Sequence, residues 1–234
     1  MALEARTNDR NPDPRVAVAL LLDTSGSMEG EPIAELNRGF AAFCADIKED
    51  PLARKRTEVT VITFGGQPQV VIPFTEGRSL EPRSFAADGL TPLGGALEMA
   101  LDELGAQKAE YKRLGLRYYR PWLFVITDGS PTDDDVFPRA ADRVRATEAA
   151  KGVTVFSVLV QGGDKVALSK ISDVRPPVSL KTEPGSFMKL FAWLSASLGA
   201  VSNSGAYGAS DSDVAQAESL EQNPLPSPAG WATW

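Results

Sequence analysis

The sequence predicts an α/β domain: a doubly wound, mostly parallel sheet with one antiparallel edge strand and helices on both faces. Three observations carry that expectation. Apolar runs of strand length alternate with segments of helical period, several runs are continuous rather than alternating, and Gly65-Gly66 lies between two of them. Continuous apolar runs suit strands covered on both faces, the condition of a parallel sheet between helices. A Gly-Gly pair between strand-like runs reads as a tight hairpin, and hence as the antiparallel edge.

The elements follow in chain order. Val16–Leu22 is the first strand, with no polar residue. Ile33, Leu36, Phe40 and Ile47 then recur at helical spacing, and Cys44, the single cysteine, falls on the same stripe, where a buried thiol is expected. Glu58–Phe64 and Gln69–Phe74 form the hairpin. Leu93, Leu97, Ala100, Leu101 and Leu104 mark a second helix, entered through Thr91-Pro92, with the proline at its first turn. Trp122–Thr127 is the next strand, and Val136, Ala140 and Val144 give a third helix. Val153–Val160 and the short Val178–Leu180 are further strands, and Phe187, Phe191, Leu194, Leu198 and Val201 define the last helix.

This divides the chain into a flexible N-terminal segment 1–15, a domain 16–201, and a Ser/Gly/Pro-rich acidic tail 202–234 that ends in Trp231 and Trp234. The tail is read as packing its indoles back onto its own domain, with partner anchoring the sharper alternative. A chain of 234 residues, 43% hydrophobic, can bury one substantial core. Net charge is −7, with no basic cluster interleaved with aromatics, which argues against a nucleic-acid partner. The longest apolar run falls far short of a membrane span, and the charged start MALEARTNDRNPDPR lacks a signal-peptide apolar region. A cytoplasmic location with no membrane partner is expected.

The chain has no histidine, which removes Ser-His-Asp and Cys-His nucleophile pairs and His-rich zinc sites. Ser25 is not in a GxSxG elbow, because position 23 is Asp; no DxDxT follows Asp23, and no GxxxxGK[ST] occurs. A Mg²⁺ enzyme acting on phosphate is therefore the poorest of three readings, behind a binding module and a scaffold that works through its tail. No enzyme activity is expected.

The chemistry concentrates at strand ends. Asp23, Ser25 and Ser27 follow the first strand, Asp128 follows the strand that ends at Thr127, and Thr91 stands just before a helix. In doubly wound sheets these loops meet at the carboxyl edge. Two carboxylates and three hydroxyls form a hard, all-oxygen set that suits Mg²⁺ or Mn²⁺, not zinc or copper. Each piece alone reads as a cap or a turn. Asp133-Asp134-Asp135 is read as acids complementing a helix dipole, Glu31 as a rim residue able to tune ligand choice, and Arg117-Tyr-Tyr-Arg120 as a solvated edge, with a basic aromatic contact the alternative.

Taken together, Asp23-Thr-Ser25-Gly-Ser27, Thr91 and Asp128-Gly resemble the metal-ion-dependent adhesion site of von Willebrand factor A domains, over about Arg15 to Val201. The resemblance implies a Rossmann-like von Willebrand A fold. It implies that Ser25 and Ser27 coordinate the ion directly, Thr91 directly or through water, and Asp23 and Asp128 mainly through waters and hydrogen bonds. It also implies that an acidic residue of a partner protein completes the metal's shell. The "LTPLGGAL" and "ITDGSPTDD" phrasing is similar to stand-alone bacterial members of the TerY and YegL type. Those are associated with tellurium-resistance and stress operons, often beside phosphatase and kinase genes, whose products are the implied partners.

Overall fold

The computed structural model describes residues 7–160, 163–181, 183–217 and 232–233. The strands are β1 (Val16–Leu22), β2 (Thr57–Gly65), β3 (Gln67–Glu76), β4 (Trp122–Thr127), β5 (Thr154–Leu159), β6 (Val178–Leu180) and β7 (Ala232–Thr233). The helices are α1 (Glu31–Glu49), α2 (Ala53–Arg56), α3 (Leu93–Arg113), α4 (Phe137–Ala149), α5 (Lys165–Ser169), α6 (Ser186–Asn203) and α7 (Asp211–Ala217). The short α2, α5 and α7 carry too few apolar residues for periodicity to reveal them.

The strands form one sheet in the order β3-β2-β1-β4-β5-β6-β7. β2, β1, β4, β5 and β6 are parallel, and β3 runs antiparallel on β2, as the hairpin predicts. The two-residue β7 adds an antiparallel strand at the opposite edge. The chain winds outward from β1 through β2 to β3, then returns to β4 on the other side of β1 and winds outward the other way. Its direction therefore reverses between β1 and β4, where the following loops diverge and leave a crevice.

β1 shows why its apolar run is unbroken. Val16, Val18, Leu20 and Leu22 pack into a layer with Leu36, Phe40 and Phe43 of α1 and Phe191 and Leu194 of α6. Ala17, Ala19 and Leu21 face the other way, against Leu93, Leu97 and Ala100 of α3 and Ala140 and Val144 of α4. Cys44 is buried in the first layer, and burial pushes its thiol up to about 12, so it packs as an inert apolar group.

Within the N-terminal segment 1–15, expected to be flexible, Arg15 is fully buried, and its guanidinium donates to the carbonyls of Asn8, Asn11 and Asp13. One local expectation is corrected. Tyr118 and Tyr119, read as a solvated edge, are fully buried, the Tyr119 hydroxyl donating to the Ser204 carbonyl at 2.9 Å. Tyr-Tyr between two arginines conceals its burial because its cover comes from residues 202–208, some 85 positions downstream. The first part of the tail packs back onto the domain, with Asp211 accepting hydrogen bonds from Lys108, Lys112 and Tyr118. Trp231 and Trp234 lie outside the described residues.

Candidate metal centre

β1 and β4 flank the reversal point, and each hands over to an aspartate. The pairing Leu22↔Ile126 brings the two strand ends level, and the Asp23 amide donates to the Ile126 carbonyl at 2.9 Å, so Asp23 is still held by the sheet. It is fully buried. Its Oδ1 accepts the Ser25 amide at 2.8 Å, an Asx turn that aims the loop back across the strand end. Its Oδ2 accepts the Thr127 hydroxyl. A single turn of 3₁₀ helix over Gly26–Met28 follows, anchored by the fully buried Met28.

The hydroxyls then form a chain. Ser25 Oγ and Ser27 Oγ are 3.0 Å apart, and Ser27 Oγ donates to Asp128 Oδ1 at 2.7 Å. Ser25 is buried, Asp128 is partly exposed, and Ser27 opens to solvent. Four of the five residues singled out by sequence are thus joined by hydrogen bonds. Thr91, the fifth, packs against Gly129, where an added Cβ would stand 3.1 Å from Thr91 Oγ1.

The Thr91 loop is positioned mainly by backbone. Asp88 N donates to Thr24 O at 2.8 Å, Gly26 N to Gly89 O at 3.0 Å, and Gly66 N to Leu90 O at 3.0 Å, tying three loops together. A Cβ at Gly65 would lie 2.1 Å from Thr24 O and 2.5 Å from Asp88 O, so the hairpin needs glycine there for close approach as well as at Gly66, whose φ is +81°. On the other side, Thr91 N donates to Thr132 Oγ1 at 3.1 Å and Thr132 N to Thr91 O at 2.9 Å. The Asp133 carboxylate accepts the amides of Gly94 and Gly95 at 3.1 and 2.8 Å. Asp133 therefore caps the first turn of α3 rather than the helix that follows it in sequence. Thr127, Thr132 and Asp133 were not assigned to the site from sequence; the acidic run gave a signal, but its partner lies 38 residues upstream.

The electrostatics are lopsided. Burial pushes the Asp23 carboxyl above its usual range, and although Ser25 and Thr127 pull it back, the charge of Asp128 adds to the rise. Burial also raises Asp128, with the Ser27 hydroxyl opposing. Among the described residues, no Lys or Arg lies within ion-pair distance of either. Nor does any group of three or more Cys, Asp or Glu side chains gather there as a metal cluster. The donor set is two acids and three hydroxyls around a crevice, short of positive charge. That chemistry fits a hard dication: the ion would supply the missing charge, and neutral hydroxyls would leave it short of a full shell.

The profile of the von Willebrand factor type A domain matches residues 17–189. Among solved structures, the pilus adhesin SpaC from Lactobacillus rhamnosus GG superimposes with a TM-score of 0.65 at 13% identity, over 80% of this chain and 31% of that one. Proximal thread matrix protein 1 of the mussel byssus gives 0.57 at 17%, over 80% and 49%. A von Willebrand factor type A protein from Catenulispora acidiphila gives 0.55 at 18%, over 80% and 43%. This chain spans less than half the length of each, and likeness at such identities is likeness of fold.

Proposed function

The chain belongs to the von Willebrand factor type A family, and we propose that it is a binding module that presents Mg²⁺ or Mn²⁺ to an acidic side chain of a partner protein. Asp23, Ser25, Ser27, Thr91 and Asp128 would hold the ion. One observation carries the proposal: two carboxylates converge at the reversal point of the sheet with hydroxyls between them and, among the described residues, no base beside them. Bound there, the cation would act as a Lewis acid with an exchangeable position, and an incoming carboxylate would both complete the shell and neutralise the residual charge.

The protein's own residues do the rest. Asp23 fixes the Ser25 turn, Ser27 links that turn to Asp128, and Thr132 holds Thr91 by two hydrogen bonds. Related folds include a protein named as a pilus adhesin, consistent with recognition rather than turnover. The absence of histidine and of phosphoryl-transfer motifs supports a non-enzymatic role. The TerY- and YegL-like phrasing supports a place in a bacterial stress or tellurium-resistance system, with phosphatase or kinase proteins of the same operon as partners, in the cytoplasm. No described helix is long and apolar enough to cross a membrane.

The test is affinity capture from the native cell with and without EDTA, using Asp23→Ala as control. Capture should require both the metal and Asp23. Equal capture by parent and variant, indifferent to EDTA, would discard the metal-presenting reading in favour of a scaffold working through another surface.

A further inference from the structure

Thr127 is the last residue of β4 and is fully buried, at a position whose pattern calls for an apolar side chain. Leu123 and Val125 of the same strand pack into the layer of α3 and α4, and alternate residues of a strand share a face, so Thr127 falls on that side. Asp23 falls there too, two residues past Leu21, and the pairing Leu22↔Ile126 sets Asp23 and Thr127 side by side. A buried hydroxyl is tolerated when it is hydrogen-bonded. This one is bonded twice: Thr127 Oγ1 donates to Asp23 Oδ2 and accepts the Gly129 amide at 3.2 Å. An ionised carboxylate only accepts, so the hydroxyl's single proton is committed to Asp23.

The consequence is for how Asp23 can turn. The terminal torsion of an aspartate is ordinarily broad. Here the Ser25 amide holds Oδ1 at 2.8 Å and Thr127 holds Oδ2, one anchor on each oxygen and each from a different strand end, so the plane of the carboxylate is fixed. Through Gly129, the same hydroxyl also steadies the backbone against which Thr91 packs. Asp128 is held more loosely, being partly exposed and meeting the hydroxyl of the exposed Ser27 at 2.7 Å. Hard dications differ in what they ask of a carboxylate. Mg²⁺ demands a compact, near-octahedral array, whereas Ca²⁺ takes more oxygens in a flexible one and accepts carboxylates with one oxygen or with both. A carboxylate that cannot rotate serves the first demand and not the second.

We propose that Thr127 is a positioning residue that determines which ion the strand-end site accepts: by holding Asp23 Oδ2 it matches the site to a small octahedral dication and against Ca²⁺. The inference rests on the metal reading and deepens it, placing the choice of ion in a residue outside the five that would hold it.

The experiment is calorimetric titration of the full chain with Mg²⁺ and, separately, with Ca²⁺. The parent should bind Mg²⁺ more tightly than Ca²⁺. Thr127→Val keeps the branched shape and removes the hydroxyl; it should weaken Mg²⁺ binding by about tenfold or more, the usual effect of removing a partner that orients a ligand. Ca²⁺ binding should fall by no more than about threefold, because a freed carboxylate suits its flexible shell. Thr127→Ser keeps the hydroxyl and drops the methyl, and should stay within about threefold of the parent for both ions. Thermal unfolding in EDTA checks that each variant is folded, and Thr127→Ala removes the same hydroxyl where valine does not fold. A parent that prefers Ca²⁺, an unchanged Mg²⁺ affinity without the hydroxyl, equal losses for the two ions, or equal losses with serine and valine overturns this inference alone. A parent that takes up no Mg²⁺ overturns the metal reading and this inference with it, so the two failures are distinguishable.

Discussion

Two buried acid clusters sit at opposite ends of the central strands, and they differ in one respect. At the amino end, Glu58 of β2 is fully buried and accepts hydrogen bonds from Thr7 at 3.1 Å, Gln107 at 2.6 Å and Tyr111 at 2.7 Å, while Arg15 pairs with it at 3.2 Å. At the carboxyl end, Asp23 and Asp128 have hydroxyl and amide partners and repel each other, with no cation from the described chain. Burial pushes Glu58 up as it does Asp23, yet around Glu58 the opposing influences include a guanidinium, whereas around Asp23 a second carboxylate works in the same direction as burial. The amino-end cluster is complete in itself. The carboxyl-end cluster lacks a cationic partner among the described residues, and on the proposed reading a cation from outside would supply it.

The largest break in that contrast should come from Arg15→Met. It strands Glu58 in a fully buried site, and removing one partner of a buried pair costs about 3–5 kcal/mol. Urea unfolding would show this as a lower midpoint. A loss under 1 kcal/mol would mean that Tyr111, Gln107 and Thr7 suffice.

At the other end, Asp23→Asn should leave metal-free stability within about 1 kcal/mol of the parent, since it deletes a charge that has no cationic partner. Added Mg²⁺ should then separate the two chains. At about a hundredfold excess over the dissociation constant the parent should gain about 2.7 kcal/mol, and the variant nothing, read by thermal unfolding with and without EDTA. Equal stabilisation of both would erase the contrast.

The pH dependence sharpens it. Glu58 has a folded-state pKa above its unfolded value, so in the window between the two the native state holds more protons and its stability falls as pH rises. Without Arg15 the folded value climbs further, because the guanidinium is among the influences that lower it. The deficit of Arg15→Met should therefore grow as pH rises through the raised range and shrink as pH falls toward 4.5, its ordinary value. Urea midpoints of the two chains across that range test the sign, and parallel curves would refute it.

The smallest effect is expected from Asp133→Ala, which uncaps the Gly94 and Gly95 amides at a cost of about 1 kcal/mol. If Asp133 also steadies Thr91, the same variant should show a weaker Mg²⁺ stabilisation than the parent. An unchanged metal response would confine Asp133 to the helix end.

The elements differ in how far local pattern reveals them. β1 and β4 run over the residues expected of them, because a strand sealed between two helix layers must be apolar throughout, and such a run ends where the polar strand-end loop begins. Asp23 and Asp128 were legible for the same reason, being the first acids past those runs. Asp133 and Thr132 were not, since the backbone groups they satisfy are some 40 residues away. Neither was the Arg15–Glu58 pair, formed across 43 positions, without which 7–15 reads as loose polar chain.

By itself, then, the sequence determined the doubly wound layout, the burial of Cys44 and which side chains stand at the strand ends, because hydrophobic period and chain direction are local properties that a sheet between helices translates directly into layers. Tertiary structure alone decided which carboxylate receives a cation from its own chain and which does not. Charge compensation in a buried site depends on what distant segments bring within about 4 Å, and no local pattern records that distance.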